Sequence, residues 1–263
     1  MKTVLITGAS SGIGYELAKV YAENNNNLIL VARRKDRLEK LKKEILEKNN
    51  SKINVLILEK DLGKANASFE LYQEVKKHNI DVDVLINNAG IGIHGEFSKI
   101  LWADMYKNNS LINLNIRTVV ELTKLYLDDF LQKNKGEILN VASIASFFPG
   151  PIMATYYASK AFVFSFTEAI REEVAYSNIK IGTLCPGPTA TEFEKSPNME
   201  KSTMFAKLKI MTAKKVAQIT YRDFEKGKNI IIPGTLNKIT VFIARFLPRK
   251  TITKIAKRMQ EKK

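Results

Sequence analysis

The sequence predicts an α/β protein built as a single doubly wound domain, with a seven-stranded parallel sheet and helices on both of its faces. Three observations lead to this fold class. Short runs rich in β-branched residues alternate with segments of helical periodicity. Neither an internal repeat nor a long linker divides the 263 residues. The composition, with 45% hydrophobic and 26% charged residues, is typical of a globular protein with one sizeable core.

The strands are predicted from seven short apolar segments. They are Thr3–Thr7, Leu28–Ala32, Asn54–Leu58, Val82–Asn87, Glu137–Ala142, Lys180–Cys185 and Asn229–Pro233. In the first connection, the apolar residues with helical spacing are Ile13, Leu17, Val20 and Tyr21. The asparagine run Asn24–Asn27 predicts a solvated turn before the second strand. Sheets of this kind bind ligands beyond the carboxyl ends of their strands, so the motifs at those ends are the candidates for a functional site.

The first strand ends in a glycine-rich turn, which reads Thr7-Gly8-Ala9-Ser10-Ser11-Gly12-Ile13-Gly14. Glycine lets the backbone approach a pyrophosphate closely, and the following helix offers free N–H groups and the positive end of its dipole. We therefore predict a dinucleotide site of the Rossmann type. The alternative is a purely structural turn, because three residues rather than one separate the first two glycines.

The end of the second strand indicates which dinucleotide binds. Enzymes that use NAD place an acidic residue about 20 residues after the glycines, where it binds the ribose hydroxyls. Here Ala32 occupies that place, and Arg33 and Arg34 follow it. Guanidinium groups bind a 2′-phosphate through charge-assisted hydrogen bonds, so we predict NADP(H) rather than NAD(H). The alternative is that the two arginines only begin a solvated, basic helix.

Further motifs follow the glycine turn in order along the chain. They are Asp61-Leu62, Asn87-Asn88-Ala89-Gly90, Leu114-Asn115-Ile116, Ser143, Tyr156-x-x-x-Lys160 and Pro186-Gly187-x-x-x-Thr191. With these motifs at these separations, the chain resembles the classical short-chain dehydrogenase/reductase family over almost its whole length. The resemblance is greatest to the branch that carries Cys-Pro-Gly-Pro-Thr-Ala-Thr-Glu-Phe, here Cys185–Phe193. It implies a Rossmann-type fold, an oxidoreductase activity and a nicotinamide cofactor.

The resemblance also implies roles for individual residues. Its catalytic tetrad corresponds to Asn115, Ser143, Tyr156 and Lys160. Asn115 would hold a water molecule that links Lys160 to solvent. Together with the residues inferred above, the predicted cofactor-binding set is Gly8, Ser10, Ser11, Gly12, Ile13, Gly14, Arg33, Arg34, Asp61, Leu62, Asn88, Ala89, Gly90, Tyr156, Lys160, Pro186, Gly187, Thr189 and Thr191.

The tetrad matches the chemistry that interconverts a carbonyl and a secondary alcohol. Hydride transfer belongs to the nicotinamide, so the protein has to position the substrate and manage a proton. The pKa of tyrosine is about 10, and a nearby ammonium group favours its phenolate. Tyr156 and Lys160 are four residues apart on a predicted helix, Tyr156–Ala175, so both project from one face. We predict an NADP(H)-dependent oxidoreductase with Tyr156 as general acid and base; the alternative is a protein that senses the dinucleotide without turnover.

Three segments are predicted to surround the substrate: Ile91–Gly95, Ala145–Met153 and Phe193–Leu208. Their composition predicts an apolar carbonyl compound, because few of their groups could hold a highly charged metabolite. The apolar side chains are Phe147, Phe148, Ile152, Met153, Phe193, Met199, Met204 and Phe205. Tyr157 is predicted to pack in the core, and His94 is given no role. The family resemblance implies a homotetramer or homodimer, formed through helices at Leu111–Phe130 and Tyr156–Ala175.

The net charge of +15 is concentrated near the C-terminus. Residues 238–263 contain nine Lys or Arg and one Glu, and we interpret them as a basic amphipathic extension of a catalytic domain formed by residues 1–237. The apolar residues with helical spacing in this extension are Ile239, Phe242, Ile243 and Phe246, followed by Ile252, Ile255, Ala256 and Met259. Their face either packs on the protein or a twin subunit, or makes a weak peripheral contact with an anionic membrane.

Other classes of protein are not expected from this sequence. The basic residues are not interleaved with aromatic ones and form no recognised motif, so no nucleic acid is predicted as a partner. A single cysteine, Cys185, and two histidines make neither a disulfide nor a zinc site expected. The N-terminus lacks the pattern of a signal peptide, and no apolar run approaches the roughly 18 residues of a membrane span. We expect a cytoplasmic protein that is at most peripheral to a membrane.

Overall fold

The parallel sheet contains the seven predicted strands, with small shifts at their ends. The computed structural model describes residues 1–49, 52–192 and 210–261. Its strands are β1 (Thr3–Thr7), β2 (Asn27–Ala32), β3 (Val55–Glu59), β4 (Val84–Asn87), β5 (Gly136–Val141), β6 (Ile179–Leu184), β7 (Thr189–Ala190), β8 (Met211–Thr212) and β9 (Ile230–Ile231). β7 pairs with β8, and the other seven form one parallel sheet in the order β3-β2-β1-β4-β5-β6-β9. The predicted doubly wound fold is confirmed.

Helices cover both faces of this sheet. They are α1 (Gly12–Glu23), α2 (Lys35–Lys48), α3 (Ala67–Lys77), α4 (Met105–Ile112), α5 (Thr118–Lys133), α6 (Ala154–Glu173), α7 (Ala213–Glu225), α8 (Thr235–Ala244) and α9 (Arg249–Gln260). Successive residues of a strand point to opposite faces, so in β1 Val4 and Ile6 enter one core and Leu5 the other. The first core includes residues of α1, α2 and α7, and the second includes residues of α3, α5 and α6.

The order of the strands reverses at the centre of the sheet. β1 lies between β2 and β4, so the connections on its two sides run in opposite directions. A crevice forms beyond the carboxyl ends of the strands at such a point, and it is where doubly wound proteins bind nucleotides. The glycine turn that follows β1 therefore lies at the one position in the sheet that best suits a dinucleotide.

The long helix predicted around Asn115 is interrupted. Instead of one helix over 111–130, a π-helical segment, Asn113–Arg117, joins α4 to α5. Apolar residues keep their helical spacing on both sides of this segment, so the sequence pattern does not reveal it. Segments of this kind are rare and occur frequently at functional sites.

Two further boundaries differ from the sequence prediction. α6 extends over Ala154–Glu173, so it begins two residues before Tyr156. The last strand is confined to Ile230–Ile231, although the prediction ran to Pro233. Proline has no N–H for a sheet ladder, which accounts for the early end of this strand.

The C-terminal extension continues the domain and contains two short helices. The boundary proposed after residue 237 falls inside α8, which begins at Thr235 and ends at Ala244. α9 begins soon afterwards, at Arg249, so no long linker separates the extension from the rest of the domain. In α9, Ile252 and Ala256 are buried against the rest of the protein. In α8, by contrast, the predicted apolar stripe is exposed: it consists of Ile239, Phe242, Ile243 and, just beyond the helix, Phe246. None of the helices in the described ranges combines the length and apolarity that a bilayer crossing needs.

Candidate active site

A cavity of about 510 Å³ lies beyond the carboxyl ends of the central strands. It is lined by residues that follow each of the strands β1 to β6, and it is closed on one side by α8 and α9. All predicted site residues line this cavity except two, Gly14 and Asn115. The motifs that are scattered along the sequence are therefore brought to one place.

The glycine turn is held open by backbone conformations that favour glycine. Gly8 and Gly12 have φ values of +68° and +60°. Gly14 is required for a different reason, which is space: a Cβ at this position would lie 2.3 Å from Asn88 Nδ2 and 2.6 Å from the oxygen of Gly8. Asn88 in turn donates a hydrogen bond of 2.8 Å to the oxygen of Thr7. Gly14 thus lets α1 start directly beneath the turn, and its predicted cofactor contact stays a prediction.

The two arginines after β2 lie in different surroundings. Arg34 donates hydrogen bonds to Ser10 Oγ (3.1 Å) and Ser11 Oγ (2.8 Å), so it is attached to the glycine turn. It also forms an ion pair of 2.7 Å with Glu192. Arg33 is exposed and lines the cavity, and it has neither a hydrogen bond nor an ion pair with any residue in the described ranges. Within the described residues, Arg33 is therefore a cation that is available to a ligand.

Ser143, Tyr156 and Lys160 converge at the other end of the cavity. Ser143 lies just after β5, where its Oγ accepts a hydrogen bond of 3.1 Å from the backbone N–H of Ala145. The hydroxyl of Tyr156 is hydrogen-bonded to Ser143. Lys160, one turn further along α6, is buried and donates to the oxygen of Val141 at 2.8 Å. The phenol and the hydroxyl thus face the cavity with a buried amine behind them.

The electrostatics of this group hold a proton on the phenol. Burial raises the pKa of Tyr156 to about 12, and the hydrogen bond with Ser143 acts in the opposite direction. Burial also lowers the pKa of Lys160 to about 8, while the neighbouring Cys185 opposes that shift. At neutral pH Tyr156 is therefore a protonated acid, and most Lys160 side chains carry a charge.

Asn115 lies in the π-helical segment, behind the cavity wall. Its side chain is fully buried and donates to the oxygen of Ile91 (3.0 Å) and to Ser159 Oγ (3.1 Å). Its Oδ1 accepts a hydrogen bond of 3.0 Å from the backbone N–H of Ile91. A Cβ added to Gly90 would lie 3.2 Å from this Oδ1 and 3.4 Å from Lys160 Nζ. Asn115 and the amine therefore meet at Gly90, while the predicted water ligation stays a prediction.

The C-terminal helix contributes residues that the sequence did not assign to the site. Ala256, Met259 and Gln260 of α9 line the cavity. Gln260 Nε2 donates a hydrogen bond of 2.8 Å to the hydroxyl of Tyr157, which is buried as predicted. The backbone oxygen of Gln260 lies 3.1 Å from His94 Nε2, so this histidine contacts the helix. The only sequence signal for α9 was its apolar spacing, which does not say what the helix packs against.

The predicted substrate segments line the cavity in part. Ile91, Ala145, Phe148 and Met153 are at its surface, whereas Phe147 packs against Phe164 with 4.8 Å between the ring centroids. Residues 193–208 lie outside the described ranges. The predicted position of Phe193, Met199, Met204 and Phe205 around the substrate therefore stays a prediction. α8 supplies three residues that the sequence did not assign to the wall: Leu236, Asn237 and Thr240.

The loop after β6 is packed against the start of α8. A Cβ added to Gly187 would lie 2.4 Å from Asn237 Oδ1, so only glycine allows this approach. The backbone oxygen of Pro186 accepts a hydrogen bond of 3.4 Å from Ser143 Oγ, which ties the loop to the residue that follows β5. Pro186, Gly187, Thr189 and Thr191 all line the cavity, while their predicted contact with the cofactor stays a prediction.

The comparison with known proteins identifies the family. The sequence model described as short chain dehydrogenase matches residues 2–202, which is most of the chain. This chain belongs to the short-chain dehydrogenase/reductase family. Membership in this family makes the protein an oxidoreductase that binds a nicotinamide dinucleotide, and it confirms the family that the motifs indicated.

Curated short-chain dehydrogenase/reductase relatives cover different shares of their own length. An NADP-dependent 3-hydroxy acid dehydrogenase from Schizosaccharomyces pombe is 33% identical over 251 residues, 89% of this chain and 91% of the relative. A very-long-chain 3-oxoacyl-CoA reductase from Anas platyrhynchos is 31% identical over 204 residues, 76% of this chain but only 64% of the relative. A solved structure, that of a short-chain dehydrogenase from Sphingobium yanoikuyae in complex with NADPH, is 26% identical in sequence and has a TM-score of 0.82. The match covers 99% of this chain and 98% of that one.

The site of this family member suits a dinucleotide on the evidence of its own residues. Its glycine turn has the left-handed backbone that permits close approach, and Arg33 offers a cation that lines the same cavity. Within the described residues, no three side chains of His, Cys, Asp or Glu cluster as metal ligands would.

Proposed function

We propose that the protein is an NADP(H)-dependent oxidoreductase that interconverts a carbonyl compound and a secondary alcohol, with Tyr156 as general acid and base. One observation carries this proposal: the Tyr156 hydroxyl faces the cavity beside Ser143, with Lys160 one helical turn away. When it is bound, the nicotinamide supplies the hydride or accepts it. The protein has to hold the substrate oxygen and move one proton.

In the direction of reduction, the proton comes from Tyr156. Because its pKa is raised to about 12 by burial, the phenol keeps its proton until negative charge develops on the substrate oxygen. Ser143 Oγ can hydrogen-bond to the same oxygen and stabilise that charge. In the direction of oxidation, Tyr156 has to become a phenolate, and the ammonium group of Lys160 favours this form.

The preference for NADP(H) rests on the residues after β2. Ala32 ends the strand without a carboxylate, and Arg33 is an unpaired cation within the described part of the chain that lines the cavity. A guanidinium group can bind a 2′-phosphate through two parallel hydrogen bonds. The relative from Schizosaccharomyces pombe is named as NADP-dependent, and the Sphingobium yanoikuyae structure contains NADPH, which supports the same preference here.

The substrate is proposed to be an apolar carbonyl compound. The substrate end of the cavity is lined mainly by apolar side chains, which are Ile91, Ile144, Phe148, Met153, Leu236, Ala256 and Met259. Two relatives are named for 3-hydroxy acids and for very-long-chain 3-oxoacyl-CoA. Compounds with a carbonyl or hydroxyl at the 3-position of an acyl chain are therefore the first candidates.

The proposal is tested by NADPH oxidation across a panel of carbonyl compounds, with NADH in parallel. The panel contains 3-oxoacyl esters of increasing chain length, steroid ketones, aromatic ketones and short polar ketones. We expect turnover with at least one apolar class, a higher kcat/KM with NADPH than with NADH, and little activity on the short polar ketones. Turnover confined to polar substrates would refute the proposed substrate class, and equal use of both cofactors would refute the proposed preference.

Two proposals concern what the protein binds besides its substrate. Exposed apolar side chains in the predicted segments Leu111–Phe130 and Tyr156–Ala175, namely Ile112 and Phe162, support a homodimer or homotetramer formed through the helices of these segments. The exposed face of α8 and its basic surroundings support a weak peripheral contact with an anionic membrane. On this proposal, the protein is cytoplasmic and reaches the membrane through its surface alone.

A further inference from the structure

Glu192 is a carboxylate that lies between two arginines at the edge of the cofactor cavity. Its Oε2 accepts a hydrogen bond of 2.7 Å from Arg34 Nη1, and its Oε1 is bound by Arg37 Nη1. Glu192 itself lines the cavity. These two guanidinium groups, Arg37 first, lower the pKa of the Glu192 carboxyl to about 2, so it is charged at any physiological pH.

The segment that carries Glu192 crosses the glycine turn. Glu192 follows β7 by two residues, and Thr191 contacts Gly12: a Cβ added to Gly12 would lie 3.1 Å from Thr191 Cγ2. The chain therefore runs from the loop after β6, over the start of α1, to the arginines that follow β2. Glu192 therefore lies at the place where the 2′-phosphate is predicted to bind.

The donors of Arg34 are already in use in this arrangement. Its Nε and Nη2 contact Ser10 Oγ, Nη2 also contacts Ser11 Oγ, and Nη1 contacts Glu192. The two serines belong to the glycine turn, so these bonds fix the plane of the guanidinium group. Among the described residues, Glu192 is the one charged partner of Arg34, and its bond is the one that a phosphate can replace.

We propose that Glu192 is a specificity-determining residue for the cofactor: its carboxylate occupies the arginine pair Arg34–Arg37 as an internal anion, which the 2′-phosphate of NADP(H) has to displace or oppose. The inference rests on the proposed binding of NADP(H), with its 2′-phosphate beside Arg33 and Arg34, the residues that follow β2. If the phosphate displaces the carboxylate, NADP(H) binding includes the cost of breaking two ion pairs. If the carboxylate stays, it repels the phosphate.

In both cases, removal of the negative charge of Glu192 is expected to change the affinity for NADP(H) in the same direction. Without the carboxylate, a dinucleotide with a 2′-phosphate binds more tightly, because Arg34 and Arg37 are no longer paired with Glu192. NADH has no phosphate at this position, so it leaves the ion pairs intact and gains nothing. Glu192 is therefore expected to reduce the preference for NADP(H) below the value that the arginines alone would give.

The test is the variant Glu192→Gln, which keeps the shape of the side chain and removes its charge. Dissociation constants are measured by fluorescence titration for NADPH, NADH and adenosine 2′,5′-bisphosphate. For exposed ion pairs of this kind, NADPH and the bisphosphate are expected to bind about three- to fivefold more tightly. NADH binding is expected to stay within about twofold, and the gain should shrink at about 0.5 M salt, where exposed charges are screened.

The matched control is Glu39→Gln. Glu39 is exposed on α2, the helix that carries Arg37, and it has no hydrogen bond or ion pair with any described residue. Its neutralisation changes the net charge equally but leaves the arginines paired, so NADPH binding is expected to change by less than about twofold. A comparable gain in this control would mean that only the overall charge matters, and the inference would be wrong.

Three results for Glu192→Gln would overturn the inference: weaker binding of NADPH, no change, or an equal gain for NADPH and NADH. The proposed cofactor preference fails separately, when the unaltered protein binds NADH as tightly as NADPH. In that case a selective gain for the phosphate-bearing ligands in Glu192→Gln would still support the inference. The two failures are therefore distinguishable in one set of titrations.

Discussion

At the scale of single residues, Lys160 has the environment that makes the site sensitive to pH. It is buried, its amine donates only to the carbonyl oxygen of Val141 among the contacts described, and burial lowers its pKa to about 8. In the proposed mechanism, a charge on this amine favours the phenolate of Tyr156 and helps to hold the cofactor. Activity should therefore change within the range of pH in which most enzymes are studied.

We expect kcat/KM for NADPH to fall as the pH rises through about 8, because the free protein then loses the ammonium charge of Lys160. Between about pH 6 and 7 the profile should be flat, since both Lys160 and Tyr156 keep their protons there. The measurement is the pH dependence of kcat/KM for the cofactor. In Lys160→Arg, the residual activity should lose this decline, because guanidinium stays charged; a decline that persists unchanged would assign it to another group.

Arg33 is expected to carry much of the preference for NADPH. Replacing it by Gln should weaken NADPH binding by about 1.5–3 kcal/mol, the range for hydrogen bonds to charged groups, and leave NADH nearly unchanged. The control is Lys35→Gln, which removes a neighbouring exposed charge outside the cavity lining. Dissociation constants for both cofactors provide the comparison. An equal loss for NADH and NADPH would show that Arg33 does not recognise the phosphate.

The sequence predicted the residues that belong to motifs but not their distant partners. Ser143, Tyr156 and Lys160 occur at a family spacing, so they could be named from the chain alone. Glu192 and Arg34 are 158 positions apart, and Gln260 and Tyr157 are 103 apart. No local pattern links residues at such separations, because their contact depends on how the strands and helices pack. These partners became visible only in the folded chain.

At the scale of elements, the position of α9 is the feature that the sequence did not predict and that affects the site most. Two amphipathic stripes were predicted in the tail, and the structure separates them in part: Ile252 and Ala256 of α9 are buried and Ile255 is exposed, while the stripe of α8 is exposed throughout. Their apolar spacing is similar, so periodicity could not show which one packs. The hydrogen bond between Gln260 and Tyr157 fixes the end of α9 on the wall of the cavity.

Tyr157→Phe should loosen this attachment. The change leaves the buried amide of Gln260 without its hydroxyl partner, at a cost of about 1–3 kcal/mol in the free energy of unfolding. Because α9 contains none of the predicted cofactor-binding residues, we expect KM for the carbonyl substrate to rise while the NADPH dissociation constant stays the same. The matched control is Tyr176→Phe, whose side chain is 81% exposed. Denaturation and steady-state kinetics measure both effects, and an unchanged KM would remove α9 from the substrate site.

At the scale of the whole molecule, about half of the net charge and several exposed apolar side chains lie in the same C-terminal segment. Residues 238–263 hold +8 of the net charge of +15, and α8 exposes Phe242 by 60%, followed by Phe246 at 73%. A second copy placed on this face would bring two strongly positive regions together, whereas an anionic lipid surface would neutralise them. The same helix lines the cavity through Leu236 and Thr240, so a lipophilic substrate could enter from this side.

The protein is therefore expected to sediment with anionic vesicles at low salt and to be released at high salt. Each basic residue near the surface contributes about 1 kcal/mol, and the exposed phenylalanines add apolar burial. The control variant combines Phe242→Ser with Phe246→Ser, since both side chains are exposed and the core stays intact. It should bind the same vesicles more weakly. Intact protein that stays in the supernatant with anionic vesicles at low salt would contradict the membrane contact.

The central claim, that Tyr156 transfers the proton, is tested most directly by Tyr156→Phe. The variant keeps the ring and its packing and removes only the hydroxyl that is hydrogen-bonded to Ser143. We predict that kcat for the best carbonyl substrate falls by about 10²–10⁴-fold, the range for a positioned general acid, while the NADPH dissociation constant changes little. Near-normal turnover by this variant, with NADPH bound as tightly as before, would show that another group supplies the proton.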